Sequence, residues 1–338
     1  MTALLGECTN TIGKALILLC LTLGTAQATS GLDAFDSGFP VHNEAALAQS
    51  FALPPLGTPR VLAPGQTQYR ATLDWTNEFV IDHSGTESLI EDGETQRYTL
   101  DLRHGFDGGN TGNFELGLTL PVRVNNGGVL DGIIQNYHRV FGFPNGGRNT
   151  APHDRLLYQY TRNGQTVLNV DHSGTGVGDI SLNAGWQVKP DLALRAMLKL
   201  PSGDHDHLNG GNTGGALWLD FDPRINPDSD WFGFISLGGS YNATSDVLPQ
   251  YQRHAVLLGG GGLGYHLTDA FSLQAQFYAH SPLYKDTAES ALRKMGLQGA
   301  FGGRYAFSPH LAFEAGFQED LITDSSPDFS IHLGVVLR

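Results

Sequence analysis

Asp204-His205-Asp206-His207 is the densest group of metal-ligating residue types in the chain. Two imidazoles flanking one residue could share a zinc ion. No second ligand group stands beside them, however, so the stretch reads as an exposed polar loop tip. Asn226, Asp228 and Asp230 repeat the alternate-residue oxygens of a calcium loop, but its glycine and closing glutamate are missing, and this stretch too reads as a solvated loop. Gly259-Gly260-Gly261-Gly262-Leu263-Gly264 has the form of a dinucleotide fingerprint. That motif works where a strand turns into a helix whose N-terminus meets pyrophosphate, whereas Tyr265-His266-Leu267 runs straight into a tight turn. Glycines within a strand, giving curvature or room for a bulky neighbour, account for it better. Ser202, Ser173 and His172 are available for hydrolysis, yet no Gly-x-Ser-x-Gly elbow occurs. Triads assemble in space, so that absence weakens an enzyme reading without removing it. No catalytic, cofactor or metal residue is assigned, and the chain reads as a non-enzyme.

The elements that carry these residues begin with an export signal. Lys14 precedes an apolar run from Ala15 to Leu23, and Ala26-Gln27-Ala28 supplies small residues for cleavage, so residues 1–28 are expected to be removed. Cys8 and Cys20, the only cysteines, both fall in that part, leaving no thiol for a disulfide, a metal or nucleophilic attack. Bulky Ile17-Leu18-Leu19 before Cys20 argues against a lipoprotein. The formal charge of −14 and the lack of any basic block exclude nucleic acid as an expected partner. No later stretch approaches the roughly 20 apolar residues of a spanning helix. Yet the chain holds 44 glycines and only 16% charged residues, with a mean hydropathy of −0.18. Apolar and polar residues must therefore be finely interleaved, as in a transmembrane β-barrel.

Residues 29–65 are rich in Pro, Gly and Ala (Pro40, Pro54, Pro55, Pro59, Pro64) and show no sustained period. A mostly extended periplasmic segment is expected, with a tail favoured over a partial plug because Pro-rich stretches resist packing into one core. From there to residue 338 a period of two takes over. Tyr69, Ala71, Leu73, Trp75, Phe79 and Ile81 fall on one face, with Arg70, Thr72, Asp74, Thr76 and Glu78 on the other. The same chemistry recurs at 114–124, 180–188 and 329–337. Apolar-faced strands of about ten residues suit the tilted spans of a barrel.

Very short turns (Lys189-Pro190-Asp191, Thr268-Asp269-Ala270, Ser308-Pro309-His310) alternate with long polar loops (201–214, 242–253, 281–290), as at the periplasmic and external ends of such barrels. Tyr305 and Phe307 before one tight turn, Phe271 after another and Trp231 at a strand start stand where an aromatic girdle belongs. The expected fold is all-β: a transmembrane antiparallel up-and-down barrel of about 12 strands. The alternative is 14, should a hairpin at Asn163-Gly164 also span; its arms of about eight residues place it outside instead. In one long insertion Leu130, Ile133, Ile134, Tyr137 and Phe141 recur at helical spacing. They predict a short helix in an external loop, either a lid over the pore or a helix packed on the rim.

At Glu91-Asp92-Gly93-Glu94-Thr95, the block from Leu130 to Arg148, Gly176-Val177-Gly178-Asp179-Ile180 and Lys199-Leu200-Pro201-Ser202-Gly203-Asp204, the chain resembles an uncharacterised proteobacterial family of outer-membrane proteins, domain of unknown function 3187, within the outer-membrane barrel superfamily. The resemblance implies a barrel and an outer-membrane location reached through the periplasm, and carries no substrate or catalytic residue. Many such barrels end in an aromatic residue read by the assembly machinery. This chain ends in Arg338, one residue after the signal-like stretch His332–Leu337.

If the apolar registers face lipid, Arg70, Asp74, Glu78, Arg97, Asp101, Arg103, Glu115, Arg123, Arg195, Lys199, Arg304 and Glu314 point into the lumen. There they form either a salt-bridged filling or a charge-lined constriction that selects solutes. The leading expectation is a passive channel or transporter for a small solute. Its alternatives are a structural or surface-interaction barrel with a filled lumen and, third, a lipid-modifying enzyme. The expected partners are outer-membrane lipid, the barrel-assembly machinery and an unidentified small solute. No cofactor is expected.

Overall fold

The computed structural model describes residues 32–141, 148, 151–224, 229–322 and 324–338. The expected signal peptide, Asn226 and Asp228 lie outside the described residues. Alternation produces long strands: β1 (Thr67–Ser84), β2 (Glu87–Phe106) and β3 (Phe114–Asn126) open the sheet. Three short strands follow, β4 (Leu157–Arg162), β5 (Gln165–Val170) and β6 (Gly174–Val177). The wall resumes with β7 (Ser181–Lys189), β8 (Leu192–Lys199), β9 (Gly214–Phe221), β10 (Trp231–Asn242) and β11 (Ala255–His266). It ends with β12 (Phe271–His280), β13 (Gly296–Ser308), β14 (Leu311–Asp320) and β15 (Phe329–Leu337).

Each wall strand pairs antiparallel with the next, β3 with β7, and β15 returns to β1 with Tyr69 opposite Leu337 and Asn77 opposite Phe329. The result is a closed barrel of 12 strands, which leaves no unpaired edge. The Asn163-Gly164 hairpin lies outside the wall, because β4 adds to the far half of β2 from Glu87 to Asp92 and β5 adds to β4. Both turn residues have positive φ, 51° and 73°, the twist a two-residue hairpin turn demands. At 18 and 20 residues, β1 and β2 exceed the roughly 9–11 residues of a crossing, so their tips rise beyond the wall.

Burial follows the period. Tyr69, Leu100, Leu116, Leu219 and Leu237 are exposed on the outside, while Arg70, Asp74, Glu115 and Arg195 are buried inside. Trp231 lies 4.7 Å from Tyr265, and Tyr305 lies 4.9 Å from Phe307, all at the end of the short turns. So apolar an exterior, with aromatic pairs at its margin, suits surrounding hydrocarbon.

The interior departs from the expected tail. Residues 32–64 thread the lumen as a hairpin-shaped plug, with Phe35, Phe39, Phe51, Ala52 and Leu56 all buried. It rises from Phe35 beside Ala306, Ala312 and Val336 at the turn end to a short 3-10 turn, Ala46–Ser50, at the loop end, then descends to β1. Prolines keep it from forming sheet with itself, but the lumen side chains supply the hydrogen-bond partners it lacks internally. Packing against a ready wall needs no core of its own.

Its tip belongs to an apolar cluster at the loop end. Leu47, Phe51 and Leu53 meet Val80 and Leu89 of the β1–β2 hairpin, Tyr158 and Tyr160 of β4, and Leu248, Tyr251 and Tyr284 of the long loops. A helix, α1 (Asp131–Phe141), occupies the expected insertion, with Leu130 and Ile134 buried. Ile133, placed on the same apolar face by its spacing, is instead 64% exposed. The side chains of Tyr137 and Phe141 lie outside the described residues. Arg148 clamps the insertion to the rim: it donates to Asp131 (2.7 Å), to Asn77 of β1 (2.6 Å) and to Asp328, and lies over the Phe79 ring. A four-residue helical turn, α2 (Ser290–Arg293), closes the loop between β12 and β13.

Candidate functional site

Of the twelve charged residues expected in the lumen ten are buried, Arg97 and Asp101 partly so, and seven touch residues 32–64 directly. Near the turn end, Glu314 accepts two hydrogen bonds from Arg304, at 3.1 and 2.8 Å, and Arg304 also donates to the carbonyl of Phe35. Arg70 and His332 approach the other Glu314 oxygen at 3.4 Å each, and His332 Nδ1 lies 2.6 Å from Asp74. The terminal Arg338 also turns inward, donating to Gln68 at 2.8 Å with its guanidinium over the Phe35 ring.

Further round the wall, one Glu115 oxygen accepts from Arg195 (2.6 Å) and Arg103 (3.2 Å), and the other from the amide of Leu62 (2.8 Å). Asp101 lies 3.6 Å from Arg103. Arg195 donates in turn to the carbonyl of Thr58 at 2.6 Å. Higher up, Glu44 of the plug sits between Arg97 (2.6 Å) and Arg123 (3.5 Å). Glu78 accepts the Ala46 amide at 3.0 Å and the Tyr158 hydroxyl at 2.8 Å. Lys199 pairs with Asp179 and reaches the carbonyl of Gln49 at 3.5 Å. Most of these buried charges are paired or hydrogen-bonded, which offsets the cost of desolvation.

Several anchors escaped the sequence reading. Asp220 on β9 accepts the amides of Gly57 and Thr58, both at 3.1 Å. Gln276 bonds Phe39 in both directions, at 2.8 and 3.1 Å, and Asn242 accepts the Ala52 amide at 2.6 Å. The period of two placed these positions inward, but nothing in it marked them as partners of a segment without period.

Asp36 of the plug pairs with Arg224 and His266, both at 2.8 Å, while Arg60 meets Asp222 at 2.9 Å. Burial alone would raise the Asp222 carboxyl, but the Arg224 donors prevail and hold it below its ordinary range.

The glycine run lies in β11 between β10 and β12, with no helix after it. A Cβ on Gly262 would come 2.5 Å from the Phe234 ring, and one on Gly57 (φ +89°) would come 2.6 Å from it. Gly38, which donates to the Gly57 carbonyl at 2.6 Å, touches the same ring. Phe234 therefore pins both arms of the plug through glycines.

At the loop end, His207 and the Asp206 amide lower the Asp204 carboxyl. Ligand atoms of Asp204, His205 and Asp206 lie within 4.8 Å of one another on the surface. The Ser202 hydroxyl donates to the Gly178 carbonyl at 2.9 Å and accepts the Ile180 amide at 2.7 Å, a structural commitment.

Between plug and wall a cavity of about 130 Å³ remains. Arg70, Arg97, Arg103, Arg123, Arg195 and Lys199 border it, against the carboxylates Asp101, Glu115 and Asp179. It runs beside β1–β3 and β7–β9.

Residues 16–338 match the family described as "Protein of unknown function (DUF3187)". The chain belongs to that family. No functionally curated protein matches its sequence. Its fold is similar to the COG4313 outer membrane channel from Pseudomonas putida F1, with a TM-score of 0.55 and 12% identity over 82% of this chain and 96% of that one. The Pseudomonas putida toluene transporter TodX is more distant, with a TM-score of 0.40 and 10% identity over 88% and 98%. At such identities the likeness is one of fold.

Proposed function

We propose that this barrel conducts small solutes across the bacterial outer membrane, and that residues 32–64 close it in the state described here. The plug carries the reading. The wall's own side chains do not fill the lumen; a chain segment does, held by hydrogen bonds and by one aromatic ring, with a charged cavity left beside it. A segment joined to the wall at β1 and held inside it by non-covalent contacts can move while the 12-strand ladder stays closed, which a filling of wall side chains cannot do. The turn end is then periplasmic, and the loop end, with α1 and the β4–β5 hairpin, external.

Reconstitution in planar bilayers tests this. The native chain is expected to show rare or small openings, and the double variant E44Q/D220N, which weakens the plug at two heights, persistent larger ones. If both folded proteins give neither conductance nor solute flux, the conduit reading fails. A filled scaffold that presents its loops to a surface partner then takes its place.

A further inference from the structure

We propose that the cavity between plug and wall binds a small organic anion, one carboxylate on an apolar body about the size of a single aromatic ring, anchored by Arg70. The proposal rests on the conduit reading and names the class of solute it serves.

The volume sets the size. About 130 Å³ is close to the roughly 150 Å³ apolar cavity that takes up benzene. The lining mixes charged and apolar groups, with Asp101 and Glu115 on β2 and β3 and Arg195 and Lys199 on β8 among them. β1, β2 and β3 contribute Arg70, Thr99 and Arg123, whereas the descending arm of the plug and strands β8 and β9 contribute Phe51, Leu56, Met197 and Trp218.

The polar part is incompletely satisfied. Arg70 is only 6% exposed, yet among the described residues it forms no hydrogen bond, and its Nε meets Glu314 only as an ion pair. Its ion-pair carboxylate, Glu314 at 3.4 Å, already accepts two hydrogen bonds from Arg304 and neighbours His332. Arg123, 1% exposed, likewise has an unpartnered Nε and reaches Glu44 only at 3.5 Å. Thr99 Oγ1, on the same lining, is buried without a partner.

Buried donors with no acceptor are costly, and a guanidinium is matched best by a planar carboxylate. A bare inorganic anion would leave Phe51, Leu56, Met197 and Trp218 facing nothing. A neutral aromatic would leave the Arg70 guanidinium without a hydrogen-bond acceptor. An amphiphilic anion answers both halves.

The experiment is calorimetric titration of the full-length protein in detergent with benzoate, benzyl alcohol and acetate. Intrinsic tryptophan fluorescence, with W218F as the control for the other three tryptophans, serves as an independent readout. Benzoate is expected to bind at least about tenfold more tightly than either of the others, the value of one charge-assisted hydrogen-bond pair. In R70Q that advantage over benzyl alcohol should vanish, and T99V should weaken benzoate a few-fold. The proposal is overturned if benzoate binds no better than benzyl alcohol or acetate, or if folded R70Q binds it like the native protein. Should R70Q fail to fold, the three-probe comparison on the native chain together with T99V decides. Benzoate binding without conductance would sink the conduit reading alone, and conductance without benzoate binding would sink this inference alone.

Discussion

Replacing Phe234 by alanine should free the plug while leaving the barrel intact. The ring is buried and touches Gly38 and Gly57 of the plug and Gly262 of the wall. A phenylalanine side chain buries roughly 200 Å², and if half of that is against the plug, about 100 Å² at about 25 cal/mol per Å² gives about 2.5 kcal/mol for docking. The wall half is lost in both states and cancels. Docking should therefore weaken on the order of 60-fold, at about 1.4 kcal/mol per factor of ten. Hydrogen exchange measures this directly, because the amides of Gly57 and Thr58 are held by Asp220 only while the plug is docked. Their protection should fall by about that factor, with the amides of β10 and β11 unchanged as an internal reference. Unaltered protection at 57 and 58 would refute the assigned role of Phe234. Equal loss in β10 and β11 would show instead that the ring supports the wall.

E44Q leaves Arg97 and Arg123 without their shared carboxylate. It should cost plug docking about 3 kcal/mol, the low end for a broken buried pair because Arg97 also borders the cavity, and is read as increased open probability in bilayers. R148A removes the clamp on Asp131, Asn77 and Asp328, so limited proteolysis should cut within 127–156 while the barrel core stays resistant. At the loop end, burial and the neighbouring Asp82 push the Glu289 carboxyl up to about 7 from an ordinary 4.5. The closed loop then keeps a proton that the open chain releases, so its stabilisation is complete below about pH 4.5 and is lost as pH rises through about 7. Protection factors of residues 281–293, corrected for the intrinsic rise of amide exchange with pH, should accordingly be higher at pH 5 than at pH 8, and E289Q should flatten that difference.

The barrel was legible because it rests on a local rule. Alternation at β1, β3, β7 and β15 assigns every side chain to lipid or lumen before any partner strand is known. Strand number followed from turn spacing, and the short arms at Asn163-Gly164 were enough to place that hairpin outside. The inward charges were legible for the same reason, since Arg70, Glu115 and Arg195 hold inward positions whatever they touch. The helical spacing that located α1 was a weaker guide to its faces. Leu130 and Ile134 found the rim, but Ile133, one step round, did not.

Residues 29–65 carried no comparable signal, because an irregular segment is held by whatever surrounds it and not by its own period. Whether Glu44 meets Arg97 and Arg123, or Gly57 slides under Phe234, depends on parts of the chain 53 to more than 175 residues away. The sequence by itself determined a closed sheet, a lipid-facing exterior and a charged interior, each set by a two-residue repeat. Only the tertiary structure decided what those charges hold, because pairing inside a lumen depends on distances that the chain acquires once the cylinder has closed.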